Sequence, residues 1–86
     1  MPRISAFYGI AIYMYYKDHA PPHFHAIYGE HEATIDIGLV EIHEGSLPRR
    51  AKKLVLEWAS EHNEALRLNW ELAGAEQPLL PIPPLE

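Results

Sequence analysis

The sequence predicts an α+β fold, in which an antiparallel sheet of four to five short strands carries one long C-terminal helix on one face. In the first half of the 86-residue chain, short runs rich in β-branched and aromatic residues are separated by glycine and proline. In the second half, apolar residues recur at helical spacing until about residue 73. The length suits one domain, and we assign residues 1–74 to it and residues 75–86 to an extended proline-rich tail.

Turn residues bound the predicted strands. Gly9 predicts a tight first hairpin, and Gly29 at the first central position of a Gly29-Glu30 turn predicts a type II′ second hairpin. Pro21 and Pro22 keep the connection between the hairpins in a loop, because proline lacks an amide proton and restricts the residue before it. The runs span residues 3–8, 10–16, 23–28, 32–37 and 39–43, the last being a fifth strand or an extension of the fourth.

The pairing register of the second hairpin follows from its turn. A two-residue turn at Gly29-Glu30 places Phe24 opposite Ile35, which gives the sheet an apolar face. A slip by one residue would pair Ile35 with His25 instead and mix polar with apolar side chains. We therefore expect the first register, with its apolar face against the helix.

The same register places two histidines together on the other, more polar face of the sheet. His23 then lies opposite Asp36, and His25 lies opposite Thr34. Asp36 is the expected nearest carboxylate, and His19 can reach the pair from the preceding loop. The pattern thus predicts a co-facial histidine pair with an acidic neighbour.

The helical half has recognisable start and stop signals. Ser46 is a suitable N-cap, Pro48 is tolerated in the first turn, and Gly74 is a natural stop. His62 and Asn69 interrupt the apolar face, where a polar group must find a hydrogen-bond partner or cost about 1–3 kcal/mol. In the expected register they lie across the sheet from the histidine pair.

Composition excludes several classes of protein. The chain has no cysteine, so neither a disulfide framework nor a thiolate metal site is available. The net charge of −5 disfavours general binding to a phosphate backbone. No apolar run approaches the length of a membrane span, and the N-terminal residues do not resemble a signal peptide. We expect a soluble cytoplasmic protein.

The histidine segment predicts a candidate metal site. His19, His23 and His25 are the expected ligands, with Asp36 as a fourth ligand or as an orienting group. Neutral imidazoles bind divalent transition metals such as zinc, nickel, copper or iron. No cysteine supports the site, and the spacing matches no specific zinc signature.

Two other interpretations of these histidines stay open. In one, His19, His23 and His25 transfer protons in a hydrolase or a small ribonuclease, and Asp36 holds one imidazole in its tautomer. In the other, they form a hydrogen-bonded cluster on the surface of the sheet.

A basic cluster is the second candidate site, and it lies at the predicted start of the helix. Cations are disfavoured there by the helix dipole, so the cluster could contact an anion or a partner. A solvated face with a neighbouring acidic partner is the alternative. The cluster consists of Arg49, Arg50, Lys52 and Lys53.

Four segments of the chain together resemble a known family. The opening MPRI, the strand end YYKDH, the segment PPHFHA and the helix end EHNEALRLNWE resemble the small bacterial family catalogued as domain of unknown function 4160. The resemblance spans about residues 1–74, and its most specific part runs from His19 to His25 as H-x-P-P-H-x-H.

The resemblance implies a bacterial cytoplasmic protein of unknown activity that acts through a protein partner. That partner would be a small protein of the type catalogued as domain of unknown function 2442, in a toxin–antitoxin-like pair. A His-dependent hydrolase or ribonuclease, with or without a metal, is the alternative, and a purely structural interaction protein is a third.

Overall fold

The computed structural model describes residues 2–86, which form a five-stranded antiparallel sheet followed by two helices. No helix within these residues has the length and apolar character needed to cross a membrane. The α+β class is confirmed. The elements are β1 (Arg3–Phe7), β2 (Ile10–Tyr13), β3 (His23–Tyr28), β4 (His31–Asp36), β5 (Glu41–Gly45), α1 (Arg49–Glu61) and α2 (Asn63–Gly74).

The sheet is a simple meander in which every strand pairs with its neighbour in sequence. The predicted register of the second hairpin is confirmed, with Phe24 opposite Ile35 and His23 opposite Asp36. Gly29 has a φ of +58°, the left-handed conformation that the first central position of such a turn requires. The period-2 alternation of β3 therefore does place Phe24 and the two histidines on opposite faces.

Trp58 of α1 lies at the centre of the core and is fully buried. Its ring centroid is 5.3 Å from that of Phe7 in β1 and 5.6 Å from that of Phe24 in β3. Its indole Nε1–H donates a hydrogen bond of 2.8 Å to the carbonyl oxygen of Pro83. One side chain therefore connects the sheet, the helix and the C-terminal segment.

The prediction of one long C-terminal helix is wrong, because the helix breaks at His62. This residue has φ −111° and ψ 28°, and it separates α1 from α2. The side-chain amide of Asn63 donates a hydrogen bond of 2.8 Å to the backbone carbonyl of Ile37, beyond the end of β4. The break thus occurs at two poor helix formers, one of which is tied to the sheet.

The predicted N-cap is also wrong. The Ser46 N–H donates to the carbonyl of Glu32 at 3.2 Å, so this residue extends the pairing of β5 with β4. Helix α1 begins at Arg49, after Pro48, and no side chain caps its first turn. Ser46 therefore continues the sheet pairing and does not cap the helix.

Residues 75–86 contain no helix or strand, yet they are fixed to the domain. The side-chain amide of Asn69 both donates to and accepts from the backbone of Leu80, at 2.8 and 2.9 Å. The Ile82 N–H donates to the carbonyl of Ile4 in β1 at 2.9 Å, and Ile82 and Leu85 are buried. Asn69, one of the two polar residues on the apolar face of the helix, thus has its partner in the tail.

We expect Asn69→Ala to lower the free energy of unfolding by about 2–4 kcal/mol, because the fully buried Asn69 amide is lost and two backbone groups of Leu80 lose their partners. Urea unfolding measures this change, and limited proteolysis should cut the tail of the variant first. Gln77→Ala, in the exposed part of the tail, is the matched control and should change stability by less than about 0.5 kcal/mol. Equal stability of the two variants would contradict the docked tail.

Candidate metal centre

Three ligand atoms converge at the start of β3. The Asp18 carboxylate, in the loop after β2, lies with its Oδ2 3.0 Å from His23 Nε2 and 3.4 Å from His25 Nε2. One ligand atom from each of the three residues lies within 4.8 Å of the other two. Strand alternation places both imidazoles on one face, and the loop returns the carboxylate to that face.

His23 is fixed through both of its ring nitrogens. Nδ1 lies 2.7 Å from the carbonyl oxygen of Pro21, a hydrogen-bond acceptor, so Nδ1 carries the proton. Nε2 faces the carboxylate of Asp18. The Pro-Pro step is therefore part of the site, because its backbone carbonyl sets the tautomer and the direction of the ring.

His25 is held by its neighbours on β2 and β4. Its ring centroid is 4.2 Å from that of Tyr15, just after β2. Its Nδ1 lies 3.5 Å from the Glu32 carboxylate of β4, without the alignment of a hydrogen bond, and this buried nitrogen has no partner within residues 2–86. An orphaned buried nitrogen costs about 1–3 kcal/mol, so the ring is poised for a rearrangement that would satisfy it.

The site is covered on the side where the sequence predicted an open sheet face. His23 is only 5% exposed, because the Trp70 ring of α2 lies 5.2 Å from its own ring. A cleft of about 60 Å³ beside Asp18 gives access, and Tyr15 and Gly74 line it together with Trp70 and Ala73. The cleft is large enough to admit water.

The electrostatics of Asp18 favour its ionised form. Burial alone would raise the pKa of this carboxyl, but hydrogen bonds from the His19 backbone N–H and from His25, together with His23, lower it below its ordinary value. In the same site, burial and then the Glu32 and Asp18 carboxylates raise the pKa of Tyr15. Asp18 is therefore the anion of this cluster, and Tyr15 is its neutral phenol.

Asp18 takes the place that the sequence assigned to Asp36. Asp36 lies opposite His23 in the sheet, but its Oδ1 accepts the Leu39 N–H at 2.8 Å and so closes the turn after β4. Within residues 2–86 it forms no salt bridge with a histidine. The expected acidic neighbour exists, but it comes from the loop before β3.

His19 lies at the edge of the cluster rather than inside it. Its side chain is 86% exposed, and its Nδ1 contacts the other carboxylate oxygen of Asp18, Oδ1, at 3.0 Å. Its backbone N–H donates to that same oxygen at 2.9 Å. His19 thus orients Asp18 from outside, whereas His23 and His25 face the converging oxygen.

The other residues singled out by the sequence lie elsewhere. The His62 ring packs 5.6 Å from Trp58, and Asn69 binds the tail, so neither joins the histidine pair, as the register predicted. The basic cluster occupies the first turn and a half of α1 and is exposed.

Sequence reasoning missed four participants. Asp18 stands next to His19 and could have been found, since an aspartate beside a histidine-rich loop is a ready carboxylate ligand. Glu32 could have been found from the register, because it lies two residues from Thr34, the partner of His25, and so on the same face of β4. Tyr15 and Trp70 could not, because a loop conformation and the direction of α2 bring them there.

The comparisons with known proteins place the chain in a family without a known activity. A family model described as Domain of unknown function (DUF4160) matches residues 9–71, most of the chain, so the protein belongs to that family. No curated protein and no solved structure matches it. Its chemistry must therefore be argued from the Asp18, His23 and His25 cluster itself.

Asp18→Asn should lower the free energy of unfolding of the metal-free protein at pH 7 by about 1–3 kcal/mol, because it removes the charged acceptor. The folded-state pKa of Asp18 is lowered, so its stabilisation is complete above the unfolded value near 4 and is lost as the pH falls through the folded value. The difference between wild type and variant should therefore shrink in acid. Urea unfolding at several pH values tests this, with exposed Glu30→Gln as control; a difference independent of pH would contradict it.

Proposed function

We propose that this member of the domain of unknown function 4160 family binds one divalent transition metal ion through Asp18, His23 and His25, and that the ion serves a hydrolytic reaction. The observation that carries the proposal is the convergence of one carboxylate oxygen and two imidazole nitrogens, on three side chains that are each at most 15% exposed. Two histidines and one carboxylate with a free position are a recurring ligand set of catalytic zinc and of non-haem iron.

The distances suit an ion of that kind. Two ligand atoms at about 2.0–2.1 Å from a tetrahedral zinc ion lie about 3.3 Å apart. The Asp18 oxygen lies 3.0 and 3.4 Å from the two imidazole nitrogens, on either side of that value. All three ligand atoms lie within 4.8 Å of one another, so side-chain movements of the two imidazoles would bring the three atoms around one ion.

The groups that face the second ring nitrogen, Nδ1, of each histidine also suit a metal centre. A ligating histidine commonly donates its second ring N–H to a carbonyl or a carboxylate, which fixes the ring and raises its basicity. His23 has the Pro21 carbonyl in that position, and His25 has the Glu32 carboxylate at 3.5 Å. Metal binding would make Nδ1 of His25 a donor toward Glu32 and would so satisfy the orphaned nitrogen.

A bound ion would also account for the two oxygen atoms, from Pro21 and Asp18, that face the ring nitrogens of His23. Both ring nitrogens face oxygen acceptors, so without a metal the ring satisfies both only as the doubly protonated imidazolium. With an ion at Nε2, the neutral ring satisfies the same surroundings. This difference separates the metal centre from a metal-free His–Asp pair.

The chemistry would follow from three protein ligands and a narrow entrance. An ion with a free position lowers the pKa of bound water and polarises a carbonyl or phosphoryl oxygen. The cleft of about 60 Å³ beside Asp18 admits water or the reacting end of a substrate, but not a bulky group. The raised pKa of Tyr15 keeps a neutral hydroxyl, a hydrogen-bond donor, at this entrance.

A metal-free acid–base role is the second candidate, and the contact between Asp18 and His23 favours it. A carboxylate that orients an imidazole is a common arrangement for proton transfer. Activity of this kind would survive chelators, whereas the metal centre would not.

The protein partner, the toxin–antitoxin-like role and the cytoplasmic location stay predictions from the resemblance, because no curated or solved protein matches. A protein that acts only through a partner keeps its complex when His23 is replaced. An enzyme keeps its fold and loses its activity.

We expect calorimetric titration with Zn²⁺ to give one site per chain, with a dissociation constant of about 1 μM or tighter. His23→Ala and His25→Ala should each weaken it at least about 100-fold, since one of three ligands is lost. His43→Ala, an exposed histidine of β5, is the matched control, and His19→Ala should change affinity less than about threefold. Equal loss in His19→Ala and His23→Ala would contradict this ligand set.

The zinc-loaded protein should hydrolyse p-nitrophenyl acetate or bis(p-nitrophenyl) phosphate at least about 10-fold faster than the same protein treated with a chelator. Release of p-nitrophenolate measures the rate. His25→Ala, with its fold checked by circular dichroism, should show only the chelated rate. A wild-type rate that the chelator leaves unchanged but His25→Ala abolishes would point to the metal-free acid–base role.

A further inference from the structure

A second cleft lies at the other candidate site of the sequence, and it shares no residue with the metal centre. Its volume is about 280 Å³, slightly below the roughly 300–1,000 Å³ of typical small-molecule pockets. Ile10 forms part of its lining and is itself buried. The walls are Tyr8 and Tyr28 on the sheet side, and Pro48, Arg50, Ala51 and Leu54 on the side of α1. We call it the tyrosine groove.

The groove keeps two large aromatic rings in contact with solvent. Tyr8 is 58% exposed and Tyr28 is 38% exposed. The Tyr28 ring lies over the backbone of Gly9, where a Cβ atom would come within 3.4 Å of it. The ring is thus held at the groove by its packing against the turn, and one of its faces stays available.

Tyr8 is placed where the turn itself disfavours it. It has a φ of +49° and Gly9 a φ of +79°, so both central residues of the β1–β2 turn are left-handed, as in a type I′ turn. Asparagine or glycine suits that position, whereas a bulky aromatic residue is strained there. This strained position sets an aromatic ring, 58% exposed, at the rim of the groove.

Arg50 of the basic cluster gives the groove a positively charged wall. Arg50 lines it, and Arg49, Lys52 and Lys53 stand beside Arg50 in the same turn and a half of α1. Within residues 2–86 none of these four cations forms a salt bridge, and α1 has no acidic residue in its first turn. The neighbouring acidic partner of the alternative interpretation is therefore not found in this part of the chain.

We propose that the tyrosine groove binds an acidic peptide segment of a protein partner, with one apolar or aromatic side chain of that segment anchored between Tyr8, Tyr28 and Leu54. Tyrosine and arginine are enriched at the energetic centres of protein interfaces. The unpaired cations supply charge complementarity to acidic residues on either side of the anchor.

The charge of the whole chain favours a short acidic segment over a nucleic acid. Outside the basic cluster the chain carries three basic and twelve acidic side chains. A long polyanion would extend beyond the cluster onto this negative surface, whereas a few acidic residues would meet only the four cations.

The test is an NMR titration of the ¹⁵N-labelled protein with an acetylated, amidated pentapeptide in which one phenylalanine is flanked by two glutamates on each side. Amide shifts should move at the β1–β2 turn, at Tyr28 and at Ala51 and Leu54, with a dissociation constant of about 1 mM. The same peptide with glutamine in place of glutamate should bind at least about 10-fold more weakly.

Two variants and one control make the test specific. Arg50→Glu should weaken binding at least about 10-fold, and Arg3→Glu, the same charge change at the start of β1, less than about twofold. Tyr8→Asn should keep or raise the melting temperature, because asparagine suits the turn, and should still lose binding.

Several results would overturn the proposal. They are no shift at the groove with either peptide, equal binding of the glutamine peptide, or unchanged binding by Tyr8→Asn. Tighter binding of a single-stranded RNA 12-mer at the same amides would assign the groove to nucleic acid instead. A dimer in sedimentation analysis that Arg50→Glu dissociates would assign it to a second copy of the chain.

Discussion

The contact between Phe24 and Trp58 is the constraint on which the candidate centre depends. Because the two rings meet edge to face at 5.6 Å in the core, β3 can present Phe24 only toward Trp58 of α1. Strand alternation then forces His23 and His25 onto the opposite face. A one-residue slip would bury two imidazoles beside Trp58 and leave Phe24 outside, so the packing energy of the core also positions His23 and His25.

The second requirement is local, and the loop between β2 and β3 supplies it. Pro21 offers its carbonyl to one nitrogen of His23, and Asp18 returns its carboxylate to the other. Trp70, from the helix beyond the break, covers the result. Strand β3 therefore carries the two imidazole nitrogens, the loop carries the carboxylate oxygen, and α2 limits access to them. This arrangement is more typical of a site for a buried ion than of a group of solvated surface histidines.

The features predicted correctly from the sequence are those that depend on the two-residue alternation of a strand. The hairpin register, the apolar face and the co-facial histidines all follow from alternation, and all are present. Sequence reasoning failed where a single tertiary contact decides the outcome. The helix breaks where the Asn63 side chain bonds to the Ile37 carbonyl, and the Asp36 carboxylate closes the turn after β4 instead of pairing with a histidine. No periodicity encodes such contacts.

Zinc K-edge X-ray absorption of the loaded protein tests the central claim most directly, because it counts the ligands of the ion. We expect two imidazole nitrogens and carboxylate or water oxygen at about 2.0–2.1 Å, with no change in the imidazole count in His19→Ala. Three imidazoles in the wild type, falling to two in His19→Ala, would contradict the Asp18, His23 and His25 centre. A single imidazole would contradict it as well.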